Sequence, residues 1–341
     1  MLETIWFLLW GLLWAIYFML DGFDLGLGTL MPFLGKNEKE RQLMHSSVAP
    51  FWDGNEVWLI TAGGVTFAAF PGAYAVLFSA FYTPLMIILF ALIIRAVSIE
   101  FRNKREDRPW RSLWDIATAM GSFLPALLFG VAFANIFKGI PIDADGVFHG
   151  TILTLLNPYG IAGGLFFLFL FLVHGTLWLA IKSEGELQKR AIETAKRLWV
   201  ILVIFAVIFL ISTAFFTTLY SNYVNHPFLF VVPFIAVCAL FLTRYFMNTN
   251  FCWPAWLLSS LVIMCSTLFG VIGLYPNLLP SSINPAYSIT ISNSSSSPLT
   301  LKIMLVVAII FVPVVIIYQS WVYKIFSGKI KEGDLEHEET Y

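Results

Sequence analysis

Charge is what this sequence has least of. Of its 341 residues only 12% are Asp, Glu, Lys or Arg, while 59% are apolar and 17% aromatic. A soluble domain carries about 25% charged residues, so a water-facing globule of this size is excluded for want of ionic surface. The aromatic content excludes a disordered chain, which is polar and aromatic-poor. Net charge is −1 and there is no basic block, so no nucleic-acid partner is expected. The three cysteines, Cys238, Cys252 and Cys265, lie in or beside apolar runs and form no Cys-x-x-Cys. Covalent c-type haem and a thiolate zinc site are therefore unsupported. Histidine is also sparse. The chain holds five, and of these His174 alone lies well inside an apolar run.

What is there instead is long hydrophobic sequence. A bilayer core of about 30 Å needs about 20 apolar residues in helical form. Nine stretches qualify as spans: 5–33, 54–70, 74–98, 115–137, 158–182, 198–220, 228–247, 254–275 and 300–326. The first is long and the second short, and Phe70-Pro71-Gly72-Ala73 makes a tight turn between the second and third. The N-terminus begins Met1-Leu2-Glu3-Thr4, without the basic region of a cleavable leader, so the first run is expected to remain as a helix.

Basic residues set the orientation. Three follow span one (Lys36, Lys39, Arg41), and six follow span three, from Arg95 to Arg111. Five follow span five, from Lys182 to Arg197; then come Arg244, and last Lys324, Lys329 and Lys331. Only Lys138 and Lys302 fall on the other side. By the positive-inside rule the N-terminus lies outside and the C-terminus inside, which suits an odd number of spans. The outer segment 276–300 is polar, nearly uncharged and rich in Pro, Asn and Ser. No loop is long enough for a water-soluble domain, and no internal repeat is evident.

Ionisable groups within spans mark function or a structural hydrogen bond. Asp21 and Asp24 sit in Asp21-Gly22-Phe23-Asp24-Leu25-Gly26-Leu27-Gly28. Asp21 lies sixteen residues beyond Ile5, about 24 Å along a helix, in the inner half of the bilayer. An i, i+3 spacing sets both carboxylates on one helical face, and the glycines allow close approach by another helix. A proton- or ion-conducting face and a silent hydrogen-bonded site are equally compatible with that spacing. Phe51-Trp52-Asp53-Gly54-Asn55-Glu56-Val57-Trp58 enters span two from the inside. Asp53 and Glu56 have the spacing of a capping box, yet they fall on the membrane side of Asp21 and Asp24, so four carboxylates could converge into a proton entry. Arg95 and Glu100 close span three; Arg95 reads as a snorkelling cation or as a partner for an inner acid. His174 reads as a hydrogen-bonding residue between helices rather than as a haem ligand, since no second histidine is placed to pair with it. Trp6, Trp10 and Trp14 recur every four residues and read as a lipid-facing or interfacial stripe. A secondary transporter or ion channel using the embedded carboxylates is the competing function class.

With those residues located, the sequence resembles subunit II of the cytochrome bd-type quinol oxidases. The resemblance rests on Asp21–Gly28, on Ala49-Pro-Phe-Trp-Asp-Gly-Asn-Glu-Val-Trp-Leu-Ile-Thr-Ala-Gly-Gly64, on Arg95 with its basic loop, and on Gly121-Ser-Phe-Leu-Pro125 with Gly130-Val-Ala-Phe-Ala-Asn135. Leu156-Asn-Pro-Tyr-Gly160 and Tyr275-Pro-Asn-Leu-Leu-Pro-Ser-Ser282 complete it. It implies an all-α polytopic membrane protein of nine transmembrane helices: one four-helix bundle within 1–137, a second within 158–275, a peripheral helix at 300–326 and a cytoplasmic tail at 327–341. It implies no cofactor, metal or catalytic residue in this chain. The quinol site, haem b and haem d (or haem b alone) would belong to a partner, subunit I, and a small single-helix subunit and membrane lipids are further candidate partners. The complex would sit in a prokaryotic cell (inner) membrane and reduce O2 to water with quinol electrons, electrogenically and without pumping. This chain would stabilise subunit I and line a cytoplasmic proton path through Asp21, Asp24, Asp53 and Glu56, with Asp21 and Asp53 foremost. Trp58 matches a tryptophan near a candidate oxygen route; Arg95, Glu100 and His174 would be interface or structural residues.

Overall fold

The computed structural model describes residues 1–330; the end of the expected tail, 331–341, lies outside the described residues, as does Lys331. The chain is almost wholly helical. Its first half comprises α1 (Leu2–Leu34), α2 (Glu38–Val48), α3 (Trp52–Ala69), α4 (Pro71–Ala80), α5 (Tyr82–Phe101) and α6 (Arg108–Lys138). The second comprises a short α7 (Ile152–Leu155), α8 (Pro158–Lys182), α9 (Gly185–Phe216), a short α10 (Tyr220–Asn225), α11 (Val231–Asn248), α12 (Cys252–Leu274), a short α13 (Ile291–Ser294) and α14 (Pro298–Ile325).

Eight helices among the described residues are long and apolar enough to cross a membrane. The expected span at 54–70 forms α3, but this 18-residue helix carries Asp53, Asn55 and Glu56 in its first two turns and is not one of the eight. The expected span at 74–98 is divided. Phe81, at φ −98° and ψ 16°, separates α4 from α5. Pro84 explains the break, because it has no N–H for the carbonyl one turn back and its ring crowds that carbonyl. Elsewhere each expected span falls on one long helix: 158–182 coincides with α8, whereas α6 and α9 begin well before the expected 115 and 198, at Arg108 and Gly185.

Two helices organise the packing. α1 contacts α3, α6, α8 and α12, and α8 contacts α1, α6, α9 and α12. Nearly all of α8 is buried, whereas α14 lies on the periphery with almost none of its apolar stretch covered. The α1–α8 approach is backbone to backbone. A Cβ on Gly26 would collide with the Phe171 carbonyl, and one on Gly175 with the Leu27 amide, so only glycine fits either position. Between helices the core is largely aromatic: Phe18 meets Phe129, Phe133 and Phe167 edge-on, a preferred arrangement of aromatic quadrupoles.

One end of the bundle is closed by segment 276–297. Strand β1 (Asn277–Leu279) pairs antiparallel with β2 (Ile289–Thr290), and Ser296 donates its amide to the Ala69 carbonyl. The polar sequence there is thus a folded cap. The other end carries α2 and most of the Lys and Arg side chains and is here termed the basic end.

Candidate functional site

Arg95 is the centre of the site. It projects from α5 into the bundle and is 1% exposed. Its Nη2 donates to Asp21 Oδ1 at 2.8 Å and to Glu56 Oε1 at 2.7 Å. A guanidinium so placed cannot give up its proton, and the two carboxylates stabilise its charge in a region from which water is excluded. Asp21 is wholly buried, and its second oxygen accepts from the Tyr17 hydroxyl, one turn earlier on α1, at 3.0 Å. Glu56 differs in access: its side chain is 21% exposed, so the ion-pair network reaches from the sealed interior towards the surface.

Asp24 occupies the same face of α1, as its spacing from Asp21 requires, and is likewise buried. Its Oδ2 accepts from Asn55 Nδ2 at 2.7 Å, while Oδ1 has no hydrogen-bond partner. Arg95 Nε and Nη1 are buried without partners too. Asn55 also donates to the Leu20 carbonyl at 3.1 Å, and its own oxygen accepts from Gln319 Nε2 and the Tyr323 hydroxyl of α14, each at 3.1 Å. Gln319 in turn accepts from Trp58 Nε1 at 2.6 Å. Two adjoining polar groups therefore cross the apolar bundle, one joining α1, α3 and α5 through Arg95 and the other joining α1, α3 and α14 through Asn55.

The structure gathers three of the four expected carboxylates. Asp53 stands apart. It is exposed in the first turn of α3, where its Oδ1 accepts from the Gly54 amide at 2.6 Å. The capping box expected from Asp53 and Glu56 does not form, because the helix begins two residues early with Phe51 at the cap and Glu56 turned inward onto Arg95. Of the two readings of Arg95, the partner of inner acids is the one observed. Glu100 is exposed at the end of α5. His174 bridges helices: Nδ1 lies 2.7 Å from Ser259 Oγ on α12 and Nε2 3.1 Å from the Met19 carbonyl on α1. Trp256 stacks on its ring at 5.1 Å.

The tryptophan stripe on α1 faces inward rather than towards lipid. Trp6 and Trp10 are each 2% exposed. Trp6 donates to the Leu301 carbonyl at 3.0 Å and Trp10 to Thr66 Oγ1 at 2.9 Å. Trp14 packs against Phe18 and Phe133; a buried indole usually finds an acceptor, but the Trp14 N–H has none among the described residues.

A second ionic cluster, at the basic end, was not anticipated. Asp115 of α6 accepts from Arg102 Nε at 2.6 Å and Arg41 Nη1 at 3.1 Å, and lies 3.1 Å from His45 Nε2. Glu38 receives Arg102 and Arg111 at 3.0 and 2.9 Å. Burial holds the His45 imidazole below its usual titration range, although its hydrogen bond to Asp115 opposes this. Nearby Arg190 grips Glu40 through both carboxylate oxygens, at 2.9 and 3.0 Å, and keeps that carboxyl below the ordinary glutamate range. These bonds tie α2 to α6 and α9.

Eight apolar helices around a solvent-excluded ionic network define a multi-pass membrane protein, built to hold charge inside the bilayer rather than to present a soluble active site. The family described as cytochrome bd terminal oxidase subunit II matches residues 2–326. The chain belongs to that family. Cytochrome bd-I ubiquinol oxidase subunit 2 of Escherichia coli (strain K12) is 36% identical over 366 positions, covering 98% of this chain and 97% of the relative. Cytochrome bd ubiquinol oxidase subunit 2 of Bacillus subtilis (strain 168) is 34% identical over 336 positions, covering 98% of each. In fold, the chain is similar to bd oxidase from Geobacillus thermodenitrificans, with a TM-score of 0.77 over 95% of this chain and 98% of that one at 16% identity.

Proposed function

We propose that this chain is the haem-free second subunit of a bd-type quinol:O2 oxidoreductase, which stabilises a haem-bearing subunit I and carries protons from the cytoplasmic side. The observation that carries the reading is the buried Asp21–Arg95–Glu56 triad with Asp24 beside it, open to the surface only through Glu56. Acids held in a dry, hydrogen-bonded interior are the groups by which a membrane protein moves protons. Subunit I would hold the haem. In this chain both ring nitrogens of His174 are engaged by Ser259 and Met19, so that residue does not fit an axial-ligand role.

In this reading the basic end faces the cytoplasm and the β-capped end faces outward. α3 adds a ninth crossing, with its polar first turns on the cytoplasmic side and its last residue, Ala69, at the β-capped end. Asp53 stands at the entrance, exposed beside Trp52, where a partner helix would cover it. Glu56 is the next acid inward and Asp21 and Asp24 are the innermost. O2 reduction consumes protons at the haem site. When these come only from the cytoplasm and quinol releases its own outside, charge crosses the membrane without a pump.

The purified complex tests the proposal. Asp24→Asn and Asp53→Asn should slow quinol oxidation about tenfold or more while haem content and subunit ratio stay normal; groups acting directly in proton transfer contribute at least about a hundredfold, and a relay with parallel members contributes less. Unchanged turnover in both variants, with intact assembly, would leave this subunit a scaffold only.

A further inference from the structure

Gln319 is out of character with its helix. From Ile303 to Ile317 every residue of α14 is apolar, and Gln319 then inserts between Trp58 and Asn55. An indole N–H can only donate, so Trp58 at 2.6 Å fixes the oxygen of Gln319. That leaves the Gln319 amide nitrogen to donate, at 3.1 Å, and it fixes the oxygen of Asn55. The Tyr323 hydroxyl, also at 3.1 Å, completes the acceptor capacity of that oxygen. Asn55 must then turn its nitrogen towards Asp24 Oδ2 and the Leu20 carbonyl, where both N–H groups are used. Reversing either amide would set donor against donor and acceptor against acceptor in a buried site, a penalty on each contact.

The geometry points to Trp58, Gln319 and Asn55 as positioning residues that confine the exchangeable proton of Asp24 to a single oxygen, Oδ1. A hydroxyl on Oδ2 would meet the Asn55 N–H head-on, whereas Oδ1 is buried and free of any partner. In each cycle Asp24 takes a proton delivered from the basic side through protonated Glu56, which is left as its carboxylate, as an O–H bond at Oδ1; that bond breaks again as the proton passes to the next acceptor and Asp24 returns to its carboxylate. Oδ2 remains the hydrogen-bond acceptor of Asn55 throughout, as the carbonyl oxygen while Asp24 is protonated. α14 thereby becomes a part of the proton site, which its peripheral position does not suggest. The inference rests on Asp24 being a proton carrier, as proposed above.

The other ionisable groups around Asp24 are Asp21 and Tyr17 on α1, Glu56 on α3, Arg95 on α5 and Tyr323 on α14; His174 on α8 is committed to Ser259 and Met19. None of them is altered in Gln319→Leu. The test is the infrared difference spectrum of the intact oxidase complex, in which Asp24→Asn identifies the carbonyl stretch of protonated Asp24. In Asn55→Ala that band should move to higher wavenumber, because the carbonyl at Oδ2 loses its donor, and in Gln319→Leu it should move the same way by less, because Asn55 remains but loses the contact that fixes its orientation. The alkaline limb of the turnover–pH profile should move up by about one pH unit, since a lost hydrogen bond to a buried carboxylate favours the protonated form. Tyr323→Phe, which spares Gln319, should move both by less. A band abolished by Asp24→Asn but unmoved in Gln319→Leu and Asn55→Ala would overturn the assignment of the proton to Oδ1 while leaving Asp24 a carrier. No such band, with normal turnover in Asp24→Asn, would overturn the carrier role and this inference with it.

Discussion

Arg95 and Asp21 meet at 2.8 Å with their side chains 1% and 0% exposed, although 74 residues separate them. Asp21 has no cation on its own helix to pair with, and lipid offers none. Removing one member of such a pair leaves the other charge buried, at a cost of about 3–5 kcal/mol. Arg95→Leu should therefore cost more than Asp21→Asn, because Glu56 still pairs with the cation in the second case while two acids are left facing each other in the first. The double variant Arg95→Leu with Asp21→Asn should recover part of the loss. Thermal unfolding of the detergent-solubilised complex, arranged as a double-mutant cycle, measures this directly. Additive losses would mean that the two groups do not interact.

Gly26 makes a different kind of contact, and its replacement should be felt as strain. A Cβ there would strike the Phe171 carbonyl on α8, and backbone does not yield as a side-chain end does. Gly26→Ala should destabilise the α1–α8 pair by at least the about 1–3 kcal/mol typical of overpacking. Gly63→Ala serves as a control, since nothing lies near a Cβ on that residue. The yield of assembled complex and its unfolding temperature should fall for the first and hold for the second within this chain. Equal losses would overturn the close-approach argument, since helix propensity alone favours Ala at both positions.

Much of the site could be read from the sequence, and what was missed has a common cause. Asp21, Asp24 and Arg95 stand out because charge inside an apolar run is costly. Tyr17, Asn55, Gln319 and Tyr323 carry no such signal; an amide or a phenol near a membrane interface is ordinary, and Gln319 lies 264 residues from the asparagine it orients. The same distance effect misplaced Trp6, whose indole suits an interface until its acceptor, the Leu301 carbonyl, is seen 295 residues on. Asp53 was paired with Glu56 by spacing, but the helix starts at Trp52, which rotates Glu56 inward and leaves Asp53 outside. Pro84 was visible, yet the hydropathy of 74–98 runs smoothly across the break it causes.

The basic end should make stability depend on pH through two groups in α2. His45 is held neutral by burial, so its folded-state pKa lies below the usual value of about 6.5. The unfolded chain then binds a proton that the native protein does not. Its contribution is complete above about pH 6.5 and is lost progressively as pH falls from there to the lowered native value. Glu40 has the same sign further down. Arg190 depresses its carboxyl, so the stabilisation is present above about pH 4.5, the usual glutamate value, and is lost as pH drops through the depressed one. Unfolding temperature measured in steps from about pH 8 to about pH 2.5 should therefore fall in two stages. His45→Gln should flatten the upper stage and leave the lower. Glu40→Gln should do the reverse, with a small effect because that pair is partly exposed. A His45→Gln profile that still declines through pH about 6 would place the upper titration elsewhere in the protein.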